Sequence, residues 1–217
     1  GFVVVNVNPL YTPRELEHQL KDSGSKAIVI IENFATTLQS CIANTPVKHV
    51  VLCAMGDQLG FLKGMLVNYV VRNVKKLVPE YSLPGAVRFN DAIAKGQRGT
   101  FKPVDIKPDD IALLQYTGGT TGVSKGAVLL HRNVIANVLQ AEAWNEPVMK
   151  SLPAGEQPTS ICALPLYHIF AFTVNMMLGM RTGGKVILIP NPRDLPAVLK
   201  ELSKHTFHSF PAVNTLF

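Results

Sequence analysis

Cysteine is scarce in this sequence, at three among 217 residues. Small secreted domains need dense, even-numbered cysteine frameworks, so a disulfide scaffold is excluded. Cys41, Cys53 and Cys162 show no CxxC spacing, which removes the usual zinc sites too. They read as buried thiols in a reducing compartment. Charged residues are only 17% and aromatics 7%, against 47% hydrophobic. That balance excludes an intrinsically disordered chain, and the length suffices for a sizeable core in one to two domains. The apolar stretch at 167–180 is shorter than the ~20 residues that span a bilayer. There is no internal repeat and no low-complexity segment. Acidic residues are the scarcer sign, 15 against 21 basic, for a net charge of +6. A basic excess suits nucleic acid, anionic lipid or phosphate-bearing ligands. No long block of like charge occurs, and aromatics are not interleaved with the basic residues, so no nucleic-acid partner is expected.

What is present is an alternation of strand and helix. Residues 2–7, 26–31 and 49–54 are short apolar runs that suit buried strands. Thr12, Pro13, Arg14 and Glu15 form a capping box with proline at the first helical position. The helix they open is expected to stop near Ser23 and Gly24, and another helix is expected over 34–43. Residues 79–108 hold seven glycines and prolines and read as mostly loop. The second half predicts strands at 111–115, 127–130, 160–165 and 185–189. Helices are expected from His131 to about Ala143, over 167–180, and over 195–204 with Asp194 as N-cap. Strands separated by helices of this length predict an α/β fold, parallel or mixed sheets with helices on both faces. Two subdomains are expected, 1–104 and 105–217. Both ends of the sequence fall in mid-element, at Gly1-Phe2-Val3 and at Phe217, which reads as a fragment of a longer chain.

Residues 61–78 stand apart. On a helical wheel Leu62, Leu66, Tyr69, Val70, Val74 and Leu77 share one arc, with Arg72, Lys75 and Lys76 opposite. Such a helix either packs on its domain or lies on an anionic membrane surface.

The stretch Tyr116, Thr117, Gly118, Gly119, Thr120, Thr121, Gly122, Val123, Ser124, Lys125, Gly126 carries the chemistry. Its glycines allow tight turns that expose backbone N–H groups to an anion. Thr117, Thr120 and Thr121 add hydroxyl donors, and Lys125 adds a full positive charge. These are the parts that hold a polyphosphate. The order differs from the Walker A pattern, in which lysine follows glycine and precedes Ser or Thr.

The string resembles the phosphate-binding signature of the adenylate-forming superfamily, Y-T-S/T-G-T-T-G-x-P-K-G. That superfamily holds acyl-CoA synthetases, luciferases and peptide-synthetase adenylation domains. Gly119 and Ser124 depart from the common pattern in the manner of bacterial long-chain fatty-acid–CoA ligases. Gly126 to Asn133, Leu164 to Phe170, Asn191 to Asp194 and Val7 to Leu16 are similar to the same group. The resemblance therefore covers essentially the whole chain. It implies a two-step reaction. A long-chain fatty acid carboxylate attacks ATP to give an acyl-adenylate and pyrophosphate, and coenzyme A then takes the acyl group and releases AMP. It further implies that Thr117 to Gly122 cradle the β- and γ-phosphates with Tyr116 and Gly126 flanking them, that Lys125 neutralises their charge, and that Thr117 touches Mg²⁺. His168 would stand beside the acyl carboxylate, with Tyr167. Phe172, four residues on, falls where some long-chain members carry a gating tryptophan. Core packing is the alternative for Phe172, and for Met176, Met177, Leu178 and Met180 as an alkyl-binding wall.

The family's Tyr-Gly-x-Thr-Glu and Thr-Gly-Asp segments are absent from these residues. Arg181-Thr-Gly-Gly184 ends in glycine before a strand and does not replace the second. The chain alone is therefore expected to be unable to complete the reaction. Alternatives are an adenylating enzyme for a medium-chain, aryl or other carboxylate, and a non-catalytic nucleotide- or acyl-binding module. The resemblance implies a cytoplasmic enzyme; the basic arc of 61–78 raises peripheral association at the inner face of the membrane, and homo-oligomers, a homodimer among them, are common in the family, although no stretch marks an interface.

Overall fold

A computed structural model describes residues 1–118 and 123–214. In chain order the elements are β1 (Val4–Val5), α1 (Pro13–Asp22), β2 (Ala27–Ile31), α2 (Ala35–Gln39), β3 (His49–Cys53), α3 (Phe61–Tyr69), β4 (Val87–Arg88) and α4 (Phe89–Gln97). They continue with β5 (Ile111–Thr117), β6 (Lys125–Leu130), α5 (His131–Lys150), β7 (Thr159–Cys162), α6 (Ile169–Ala171), α7 (Leu178–Thr182), β8 (Lys185–Leu188) and α8 (Leu195–Leu202). The chain divides into two compact units. One holds Val7–Asp105 and the described part of Gly118–Gly126. The other holds Gly1–Asn6, Ile106–Thr117 and Ala127 onward. The division is thus not sequential: the first six residues go with the later unit, and the described part of Gly118–Gly126 goes with the earlier one.

In the first unit β2, β3 and β4 form a parallel sheet, with Ala27 opposite His49 and Val51 opposite Val87. Helix α1 starts as its residues dictate. Glu15 Oε2 accepts from the Thr12 amide at 2.8 Å and the Glu15 amide donates to Thr12 Oγ1 at 3.4 Å. The bond from the Thr12 amide, then that from its hydroxyl, holds the Glu15 carboxyl below its usual range. Leu16 and Leu20 of α1 pack with Ile28, Leu38 and Cys41 to make the core. Gly56 and Gly64 meet backbone to backbone, and a β-carbon on either would overlap the other's carbonyl oxygen. Glu32 is buried and takes Arg72 in a two-pronged bond at 2.8 and 2.9 Å, and Arg88 at 3.1 Å.

In the second unit β5 lies between β1 and β6, with Val4 opposite Leu113 in parallel. Strands β7 and β8 pair in parallel, and Ile161, Ala163, Ile187, Ile189 and Val198 form the core there. Asp194 caps α8 through the Ala197 amide at 3.2 Å. Gly183 closes α7 in the left-handed conformation at φ 66°, which lets the chain turn into β8 without a β-carbon clash.

Several expectations are corrected. The run at 2–7 yields a strand of only two residues. Residues 79–108 are mostly loop, as expected, but the loop is broken by Val87–Arg88, which joins the sheet, and by the helix Phe89–Gln97. The helix expected at 34–43 is Ala35–Gln39 between two 3₁₀ turns. Helix α5 runs on to Lys150 despite Pro147. The expected helices at 61–78 and 167–180 are each interrupted by a π-helical segment, Val70–Val74 and Phe172–Met177. Cys53 is half-buried, whereas Cys41 and Cys162 are buried. Arg72 does not serve a basic surface arc, because its guanidinium is committed to Glu32.

Replacing Glu32 by Gln leaves two guanidiniums facing a neutral amide. Because both arginines are partly in water, the expected loss is about 2 kcal/mol, below the full cost of breaking a buried pair. Denaturant unfolding of the variant against the parent checks it.

Candidate active site

Strand β5 brings Tyr116 and Thr117 to its carboxyl end, where ligands bind in parallel sheets. Tyr116 is buried, and Thr117 and Gly118 are exposed. A β-carbon added at Gly118 would meet no atom of the described residues within 4 Å. Gly119, Thr120, Thr121 and Gly122 lie outside the described residues. Lys125 opens β6, and its exposed ammonium has no hydrogen bond or ion pair among the described residues. Gly126 follows it, half-buried.

The carbonyl of Ser124, one residue before Lys125, accepts from His18 Nε2 at 3.0 Å. A carbonyl only accepts, so His18 carries its proton on Nε2. Helix α1 thereby holds the chain just ahead of Lys125. No signal in the amphipathic pattern of α1 distinguishes His18 from an ordinary surface histidine.

His168 caps α6. Its Nδ1 accepts from the Phe170 amide at 3.3 Å, which leaves the proton on Nε2. His168 is exposed, and no hydrogen bond from its Nε2–H is formed with the described residues. The turn is closed by His168 N–H to Pro165 O at 3.0 Å and by Phe172 N–H to His168 O at 2.9 Å. Tyr167 and Phe172 are half-buried, and Phe172 begins the π-helical segment. Such segments are frequent at functional sites. Met176 and Met180 line an apolar groove of about 420 Å³ with Leu166, Gly179, Val186 and Leu188, but Met177 and Leu178 do not.

Among the described residues there is no group of three or more His, Cys, Asp or Glu able to hold a metal. A magnesium ion here would be held chiefly by phosphate oxygens and water, with the Thr117 hydroxyl as the one side-chain oxygen the sequence reading assigns. That donor set suits Mg²⁺, which binds few protein ligands and keeps its waters. No helix among the described residues is long and apolar enough to cross a membrane.

A glycine- and threonine-rich sequence following a strand that pairs in parallel with β1, and leading to an exposed lysine, is a composition suited to binding phosphate. Comparison makes this specific. The family model for AMP-binding enzymes matches residues 1–217, and the chain belongs to that family. It is 54% identical over its full length to long-chain-fatty-acid–CoA ligases of Escherichia coli O157:H7 and Haemophilus influenzae, covering 38% of each. It also shares the fold of ATP-bound MatB from Rhodopseudomonas palustris, at TM-score 0.69 and 23% identity over 99% of this chain and 35% of that one. The chain thus spans about two fifths of the curated relatives it matches.

The thiolate form of all three cysteines is disfavoured. Burial pushes all three thiols up, with Glu17 adding to the effect at Cys41 and Asp57 at Cys53. Near neutral pH their alkylation by iodoacetamide is expected to run about tenfold or more slower than that of a free thiol. Unfolding should restore the ordinary rate, and timed labelling with intact-mass readout checks it.

Proposed function

We propose that the protein carrying this chain activates long-chain fatty acids, forming acyl-adenylate and then acyl-CoA with release of pyrophosphate and AMP. The observation that carries this reading is the 54% identity, unbroken over all 217 residues, to long-chain-fatty-acid–CoA ligases. The phosphate-loop string and the His168 turn agree with it.

In the first step a carboxylate oxygen of the acid forms a bond to the α-phosphorus of ATP, and the bond to pyrophosphate breaks. Negative charge grows on the leaving group. Lys125, which has no ion pair among the described residues, is suited to neutralise it, and the backbone N–H groups of Gly118 to Gly122 with the hydroxyls of Thr117, Thr120 and Thr121 to hold it. Mg²⁺ supplies further charge neutralisation when bound. Tyr116 anchors the start of the loop in the core. The Nε2–H of His168 is suited to donate to an oxygen of the acid, with Tyr167 and Phe172 beside it on the acyl side. Because Nδ1 is already an acceptor, His168 acts as an oriented donor rather than a base. In the second step the thiol of coenzyme A attacks the acyl carbonyl, and AMP leaves. The two compact units, whose division is not sequential, serve as the α/β subdomains of the larger enzyme.

Palmitate-dependent ATP–pyrophosphate exchange by the complete gene product tests the reading. Lys125→Ala is expected to lower the rate by about 10²–10³-fold, and His168→Ala by about 10–10²-fold, the worth of one charge-assisted bond. Exchange with a short or aromatic acid but none with palmitate would move the substrate and keep the chemistry. Silence with every acid would leave a non-catalytic binding module.

The same reading includes a cytoplasmic enzyme working at the membrane surface. Phe61, Leu62, Met65, Leu66 and Tyr69 form one exposed apolar face of α3, and Val74 and Leu77 extend it. Lys63, Lys75 and Lys76 are exposed alongside. An apolar face flanked by lysines suits an anionic bilayer interface. Phe61→Glu with Leu62→Glu is expected to abolish co-flotation of the complete protein with anionic liposomes at low salt. Flotation equal to the parent would remove this part.

A further inference from the structure

Strand β5 carries a residue that neither its core nor the phosphate loop explains. Gln115 is 5% exposed, between buried Leu113 and the loop, at a depth where an apolar side chain is the rule. Its Nε2 donates to the carbonyl of Tyr167 at 3.2 Å, across 52 residues of sequence. The second hydrogen of the same nitrogen is directed to the carbonyl of the next residue, Tyr116, at 3.4 Å. Its Oε1 is buried and has no hydrogen-bond partner among the described residues. An amide kept in the interior with its oxygen unpaired is costly, which argues against a role in packing alone.

The two carbonyls that this amide joins belong to the two halves of the proposed chemistry. Tyr116 leads directly into Thr117 and the phosphate loop. Tyr167 precedes His168, whose ring is oriented by the Phe170 amide. We propose that Gln115 is a positioning residue: it clamps the Tyr167–His168 turn to the carboxyl end of β5 and so sets where His168 Nε2–H stands relative to the nucleotide strand. The role rests on the proposed function, but the clamp itself is a structural claim. Gln115 touches no substrate in this account and acts through Tyr167 and His168. The lateral freedom of the turn is what it removes. The turn's own bonds, His168 N–H to Pro165 O and Phe172 N–H to His168 O, fix its internal shape but not its distance from β5.

Two variants of the complete protein separate the clamp from general stability. Gln115→Leu fills the space and cannot donate. Gln115→Glu keeps the shape, repels the Tyr167 carbonyl when ionised, and donates again when protonated. Hydrogen exchange of the amides over 167–172 is expected to quicken by about tenfold in Gln115→Leu, with β7 and β8 unchanged. Palmitate-dependent exchange turnover should fall by up to about 10²-fold, the cost of a misplacement near 1 Å, with the KM for ATP nearly constant. In Gln115→Glu the turnover relative to parent should recover as pH falls from about 8 to about 6, since burial raises a carboxyl's pKa, and Gln115→Leu should show no recovery. Unchanged amide exchange over 167–172, or faster exchange spread evenly through the unit, overturns the clamp. A faster-exchanging turn with unaltered turnover overturns the positioning role. If the parent protein adenylates no acid at all, the proposed function fails, while the amide exchange still decides the clamp.

Discussion

The carboxyl end of β5 delivers Tyr116 and Thr117, and backbone hydrogen bonding to β1 and β6 on its two sides holds that strand in place. A central strand cannot shift along its axis without breaking both ladders at once. Tyr116 and Thr117 therefore emerge at a fixed point. The buried amide of Gln115 reaches from it to the Tyr167 carbonyl. His18 reaches from α1 to the chain just ahead of Lys125.

Elsewhere the molecule spends polar groups to hold irregular backbone. Val70–Val74 and Phe172–Met177 are π-helical, a geometry poorer in regular bonding than the α-helix. Each has a polar tie close by. Arg72 sits inside the first and grips Glu32. Asn175 sits inside the second, fully buried, and donates to the Ile161 carbonyl at 3.2 Å. The apolar runs around these residues would have continued as plain α-helix on propensity alone. The competing tertiary bonds supply a reason for the departure.

Much of the chain was legible residue by residue. The capping box at Thr12 to Glu15, the Asp194 cap, and strands 27–31, 49–53 and 185–188 follow from local chemistry that acts within a few residues. Helix α4 and strand β4 were not legible, because glycine and proline nearby mask a short amphipathic stretch whose apolar residues are few. Helix α3 was legible as an element but not in its surroundings. Its apolar arc shows which residues share a face, and burial depends on what the fold sets opposite that face.

The sequence by itself determined the alternating α/β plan and the phosphate-loop string, which depend on residue type and on spacings of a few positions that a linear chain displays openly; the roles proposed for Lys125 and His168 come from the resemblance of those stretches to the adenylate-forming superfamily. Tertiary structure alone decided that Gln115 meets Tyr167, that His18 meets Ser124, that Glu32 gathers Arg72 and Arg88, and which nitrogen of His168 bears the proton. The first three join residues 40 or more positions apart. The fourth depends on the local turn that brings an amide to Nδ1. Such contacts exist only once backbone ladders and core packing have set the distances, and no local pattern encodes a distance of that kind.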